Sequence, residues 1–152
     1  MDVAHTHPEE ALFREFLIAV LLYNEALADR LGLQPVDVAA TMLLETRGPL
    51  AVGTISEELG LPSASTTRLI DRLEKAGYVR RVRGERDRRT VTVQLVEGGT
   101  GDYDAACAAS RRHLEALALH YRPEQVPVLL DMFVRVAEAY RSAARELRED
   151  PA

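Results

Sequence analysis

Between Pro62 and Val96 stand nine basic residues, Arg68, Arg72, Lys75, Arg80, Arg81, Arg83, Arg86, Arg88 and Arg89, against four acidic ones, Asp71, Glu74, Glu85 and Asp87. That stretch carries +5 in a chain whose net charge is −5, so the remainder holds ten basic and twenty acidic residues. An overall acidic balance argues against a polyanionic partner, but the clustering reverses the argument, because a local positive field is what an anionic ligand requires. All but one of the nineteen basic residues are arginine, so placement rather than abundance carries the inference. Guanidinium groups pair bidentately with guanine, and Ser or Thr hydroxyls bond bases or phosphates. Ser65, Thr67, Arg68 and Arg72 are therefore the candidates for reading a DNA major groove. Arg86, Arg88 and Arg89 lie on a second short segment, which fits the negative potential of a minor groove. Asp87 sits among them, where a carboxylate either orients a neighbouring arginine or forms an ordinary surface pair.

Other chemistries lack their residues. Cys107 and His113 point to different sides of one predicted helix, and Gly98-Gly99-Thr100-Gly101 lacks the strand and lysine context of a phosphate-binding loop. No paired carboxylates or nucleophile with a base are apparent, so neither an enzyme nor a cofactor is expected. His113 and His120 share a helix face but stand about 10.5 Å apart along its axis, with Ala116 and Leu117 between them, so no metal site is expected. His5 and His7 have no identifiable partner ligand. Cys107, the single thiol, reads as a buried structural cysteine, with oxidant sensing the lesser alternative.

The elements that must position these residues follow from periodicity. Leu12, Phe13, Phe16, Leu17, Val20, Leu21, Leu27 and Leu31 give an amphipathic helix over 8–31, ended by Gly32. Pro35 opens a second helix to Thr46, closed by Gly48-Pro49. A short helix from Val52 to Leu59 stops at Gly60, and another runs from Pro62 or Ser63 to Ala76, stopping at Gly77; together they make a helix-turn-helix. On the second of these, Thr66, Leu69, Ile70 and Leu73 gather on one side. Ala64, Arg68, Asp71 and Lys75 gather opposite, flanked by Ser65, Thr67 and Arg72. Tyr78 to Val82 and Thr90 to Val96 read as two strands joined by the arginine-rich loop Arg83 to Arg89. One helix follows Gly98-Gly99-Thr100-Gly101 and runs to about Tyr121, and another runs from Pro123 or Pro127 to about Arg148.

The chain has 152 residues with 47% hydrophobic positions, enough to bury a core in a single domain. One cysteine excludes an internal disulfide. The longest apolar run, Phe16 to Tyr23, is too short to span a membrane, and MDVAHTHPEE carries no basic leader. The cytoplasm is the expected compartment, without a membrane partner.

From Gly48 to Gly99, and most specifically in TRLIDRLEKAGYV at Thr67 to Val79 and DRR at Asp87 to Arg89, the sequence resembles the MarR family of winged-helix transcriptional regulators. The resemblance implies an α+β, mostly helical fold. In it, residues 33–99 form a winged-helix DNA-binding lobe, and 8–31 and 100–148 form N- and C-terminal dimerisation helices of one domain spanning 1–152. It implies a homodimer on double-stranded DNA, whose two recognition helices occupy successive major grooves of a pseudo-palindromic operator while the wings reach the minor groove. Ser65, Thr67 and Arg68 fall on recognition-helix positions, and Arg89 on the wing arginine oriented by Asp87. A repressor released by a small ligand is the expected mode. The family's small aromatic or phenolic effectors point to a cleft in which Tyr23, Asn24, Met42 and Arg47 are candidate lining residues, although core packing explains most of them equally well. Four departures stand out. Ala51 and Val96 replace usual helix caps, Thr66 replaces an apolar core residue, and Arg83-Gly84-Glu85-Arg86 replaces a proline-containing turn. The rival reading is a winged helix that uses its arginine-rich wing to contact an acidic protein, without binding an operator.

Overall fold

The structure, a computed structural model, describes residues 8–83 and 91–149. Its elements in chain order are α1 (Pro8–Leu31), α2 (Pro35–Arg47), β1 (Leu50–Ala51), α3 (Val52–Leu59), α4 (Ser63–Lys75), β2 (Val79–Arg83), β3 (Val91–Leu95), α5 (Gly101–Ala118), a 3₁₀ turn (Pro123–Gln125) and α6 (Val126–Glu149). The chain divides within α5 into two compact units, 1–107 and 108–152.

In the first unit the strands lie in the order β1-β3-β2, antiparallel throughout, with Leu50 opposite Val93 and Arg83 opposite Val91. This is the mostly helical winged-helix arrangement that the sequence predicts. β1 is the exception: two residues carry no periodic signal, and only pairing with β3 reveals the strand. The core gathers Leu27 and Ala28 from α1, Val38, Ala40 and Leu44 from α2, Ile55 from α3, Leu69, Ile70 and Leu73 from α4, Val79 and Val93 from the sheet, and Tyr103 and Cys107 from α5. Cys107 is thus buried, as its apolar context predicts. Burial of Tyr103, reinforced by Cys107 and Glu45, pushes its phenol pKa up.

Glycines set both ends of the segment that matters most. After α3, Gly60 adopts φ 60° and ψ 38°, and the Leu61 N–H reaches back to the Ser56 carbonyl at 3.0 Å. After α4, Gly77 adopts φ 82° while the Tyr78 N–H reaches the Leu73 carbonyl at 2.9 Å. Both are left-handed helix terminations, which glycine permits without a Cβ clash. They fix the angle at which α4 leaves α3 and the point at which the chain turns into β2.

The cap departures resolve differently. Ala51 is extended at the start of α3 and offers no side-chain cap, as expected. Val96 is no cap at all, because α5 begins at Gly101, where the Thr100 carbonyl accepts the Asp104 N–H at 2.8 Å and the Thr100 hydroxyl lies 3.2 Å from Asp104 Oδ2. The expected loss of a cap at Val96 therefore does not arise.

In the second unit α5 ends three residues before Tyr121. Its last turn tightens through Leu119 N–H to Ala116 O and His120 N–H to Leu117 O, at 3.2 and 3.0 Å. Pro123 opens the 3₁₀ turn, and Pro127 is the second residue of α6, where its missing N–H has no helical partner to lose. No described residue of α6 is buried within the chain, and Val128, Leu130, Phe133 and Val134 are exposed. No helix among the described residues is long and apolar enough to cross a membrane.

Candidate nucleic-acid interface

The predicted division of α4 into two faces is present. Thr66, Leu69, Ile70 and Leu73 are its buried residues, and Thr67 and Arg68 are exposed. Thr66 tolerates a core position because its hydroxyl donates to the Pro62 carbonyl at 3.3 Å, so no buried polar atom is left unpaired. Across the helix, Arg68 Nη2 donates to the half-buried Ser65 Oγ at 3.4 Å, a long bond that steers the guanidinium loosely. The Thr67 hydroxyl donates back to the Ser63 carbonyl at 3.0 Å and retains acceptor capacity. Among the described residues, Arg68 pairs with no carboxylate. Its charge faces outward, available to an anion.

Arg72 is placed otherwise. Its Nε and Nη2 donate to the two carboxylate oxygens of Asp37 at 3.1 and 2.6 Å, and the Asp37 side chain is only 1% exposed. Asp37 Oδ2 also accepts the Gln34 N–H at 3.1 Å, so the start of α2 and the second half of α4 meet on one carboxylate. The Asp37 hydrogen bond raises the Arg72 pKa further above its already high value. Arg72 thus holds α4 to α2, and its bidentate edge is occupied within the protein.

Arg81 on β2 performs a similar task from the other side. It donates to Asp71 Oδ1 at 2.6 Å and to Glu74, whose other oxygen accepts the Arg81 backbone N–H at 3.1 Å. Both acids of α4 are thereby paired, and β2 is fixed to α4. The sequence placed Arg81 only in the basic cluster. Its signal was an acidic pair at i, i+3 on α4 followed by an arginine in the next strand, which specifies no contact without the turn at Gly77. Removing Arg81 by Arg81→Gln is expected to cost about 1 kcal/mol or less of stability, because the cluster is solvent-exposed. Affinity for DNA is expected to fall severalfold, because two carboxylate charges are left uncompensated on α4; chemical denaturation and DNA titration at one salt concentration check both.

Arg86, Asp87, Arg88 and Arg89 lie outside the described residues, as does the rest of segment 84–90. The paired residues Arg83 and Val91 mark where that segment attaches. Of the cleft candidates, Arg47 pairs with Glu58 on α3 at 2.5 Å, Tyr23 and Met42 are exposed, and Asn24 is half-buried. His120 Nδ1 lies 3.1 Å from the Ala116 carbonyl, and no group of three potential metal ligands occurs among the described residues.

Residues 33–91, which include all of α4 and β2 and end at the first residue of β3, match the MarR family. The chain belongs to the MarR family. It is similar to the uncharacterized HTH-type transcriptional regulator YcgE of Bacillus subtilis (strain 168), with 36% identity over 112 residues that cover 74% of this chain and 64% of that protein. The chain thus spans just under two thirds of that relative's length. Among solved structures it resembles a MarR family protein from Bacillus stearothermophilus, with TM-score 0.69 and 24% identity over 92% of this chain and 98% of the other. A mutant of S. aureus MepR bound to an oligodeoxyribonucleotide aligns with TM-score 0.60 and 14% identity, covering 87% and 97% of the two chains. At these identities the structural likeness is one of fold. MarR family proteins are DNA-binding regulators rather than enzymes, in keeping with the lack of a catalytic constellation in the sequence.

Proposed function

We propose that this protein is a sequence-specific DNA-binding transcriptional regulator that acts in the cytoplasm as a homodimer on a pseudo-palindromic operator, as a repressor released by a small ligand. The observation that carries this reading is the outward face of α4. Ser65, Thr67 and Arg68 stand opposite a fully buried stripe, and Arg68 is not tied to any carboxylate among the described residues. A helix anchored on one side, with small hydroxyls and an arginine on the other, fits a major groove about 12 Å wide. In this reading Ser65, Thr67 and Arg68 read bases. Arg86, Arg88 and Arg89 reach the minor groove with Asp87 orienting Arg89, and Arg72 acts indirectly by holding α4 in place. The DNA-bound MepR structure supports the use of this fold for DNA.

Residues 33–99 then serve as the DNA-binding lobe, and 8–31 and 100–148 as dimerisation helices. Support for a dimer comes from apolar side chains left bare on two helices: Leu12 at 72% and Leu21 at 68% exposure on α1, and Val128 at 69% on α6. Large apolar side chains left bare on a helix mark an interface in soluble proteins. A dimer stabilised in this way unfolds at a temperature that rises with protein concentration. A midpoint independent of concentration, with a monomeric mass in sedimentation, contradicts the dimer. Release by a small aromatic or phenolic compound rests on the family likeness.

A footprint on DNA from upstream of the protein's own gene tests the reading. Two protected patches centred about one helical turn apart, roughly 10 to 10.5 bp, are the pattern that a two-fold pair of recognition helices produces. A single patch, or protection without phase, counts against it.

A further inference from the structure

Where the end of α1, the turn before β2 and the start of α5 meet, the first unit holds a cavity of about 330 Å³ lined by Arg30, Leu31, Tyr78, Asp102, Ala105 and Ala106. We propose that this cavity is a binding site for a small zwitterion of amino-acid size, with the ligand's carboxylate against Arg30 and its ammonium against Asp102. The inference goes beyond the DNA-binding reading and does not depend on it.

Three observations converge. First, the cavity has opposite charges on its wall that do not satisfy each other: among the described residues neither Arg30 nor Asp102 forms a hydrogen bond or an ion pair. Each has an ordinary reason to be where it is, since Arg30 lies in the last turn of α1 and Asp102 in the first turn of α5, where they complement the helix dipoles. That reason does not extend to the second observation. Tyr78 is 6% exposed, yet its hydroxyl has no hydrogen-bond partner among the described residues. No fully buried side-chain oxygen there lacks a partner, so the hydroxyl is the part of Tyr78 that meets solvent, and the space Tyr78 borders is this cavity. Burial raises the phenol's pKa and the Asp102 carboxylate adds to the rise, which keeps the hydroxyl a neutral donor. The hydroxyl is thus a donor that opens into the cavity with no partner among the described residues, and a bound carboxylate can accept from it in place of water. Third, the size is selective. The volume lies at the small end of the range for ligand pockets, and Leu31, Ala105 and Ala106 line it together with one cationic and one anionic side chain, so the occupant that fits is small and carries both charges.

The test uses the full chain and calorimetric titration with the common α-amino acids, each compared with its N-acetyl and methyl-ester derivatives. At least one amino acid is expected to bind saturably and to raise the unfolding midpoint, and each derivative to bind about tenfold more weakly, the loss of one charge-assisted contact. Arg30→Gln is expected to weaken the amino acid to the same degree while leaving the methyl ester unchanged, and Asp102→Asn to spare the N-acetyl form instead. Both residues are exposed and their replacement leaves the core intact. Failure of every amino acid to bind overturns the proposal, as does binding indifferent to both substitutions. DNA titrations of the same preparations separate the two readings. Amino-acid binding without DNA binding upholds this site and refutes the regulator, whereas DNA binding without amino-acid binding refutes this site alone.

Discussion

Arg72→Ala is expected to lower the unfolding free energy by about 2 to 3 kcal/mol and the thermal midpoint by roughly 5 to 10 °C, the largest stability effect of any single basic residue in the chain. The reason is the partner left behind. Asp37 is 1% exposed and accepts three hydrogen bonds, two from Arg72 and one from the Gln34 N–H. Without the guanidinium, its carboxylate is buried with only the backbone donor. Breaking a fully buried pair costs about 3 to 5 kcal/mol; the lower figure applies because the Arg72 side chain is 39% exposed and water partly replaces it. Arg72→Lys is expected to recover only part of the loss, since an ammonium does not span both carboxylate oxygens. Removing both partners by Asp37→Ala with Arg72→Ala is expected to cost less than the sum of the single changes, which urea denaturation of the four proteins measures as a coupling energy. A coupling near zero means that the pair does not hold α4 to α2.

The second large effect concerns recognition. Arg68→Ala is expected to remove about 1 to 3 kcal/mol of discrimination between the operator and altered sequences, while binding to unrelated DNA changes little. Arg68 is exposed and bonded only to Ser65 among the described residues, so the substitution leaves the fold unperturbed. Arg89→Ala is expected to behave in the opposite sense. It weakens operator and unrelated DNA alike and lowers the salt slope by about one, the signature of a lost phosphate contact. Competition titrations with single-base operator variants separate the two patterns. If both variants bind as the parent does, the assignment of the base-reading face to α4 is wrong.

The contrast between Arg68 and Arg72 marks how far the sequence was legible. Helical projection placed Thr66, Leu69, Ile70 and Leu73 on one face because burial follows the helical period, and all four are buried. Periodicity separated inside from outside but could not distinguish one outward arginine from another. Arg72 finds its carboxylate 35 residues earlier in the chain, and Arg81 meets Asp71 and Glu74 only because the chain reverses at Gly77. Such pairs belong to tertiary structure. Elements with strong end signals were read well, as at Gly32 and Gly60, whereas the two-residue β1 was not. The cavity at Tyr78 was invisible for a related reason: Arg30, Tyr78 and Asp102 lie on three separate segments, and nothing in their spacing brings them together.

The most direct test of the central claim is fluorescence anisotropy of the protein on DNA from upstream of its own gene, against scrambled DNA of the same composition, across a salt series. Operator binding predicts tight association with the upstream DNA that weakens steeply as salt rises yet keeps its preference over the scrambled duplex at every concentration. Association with neither duplex, or with both equally at all salt concentrations, contradicts it.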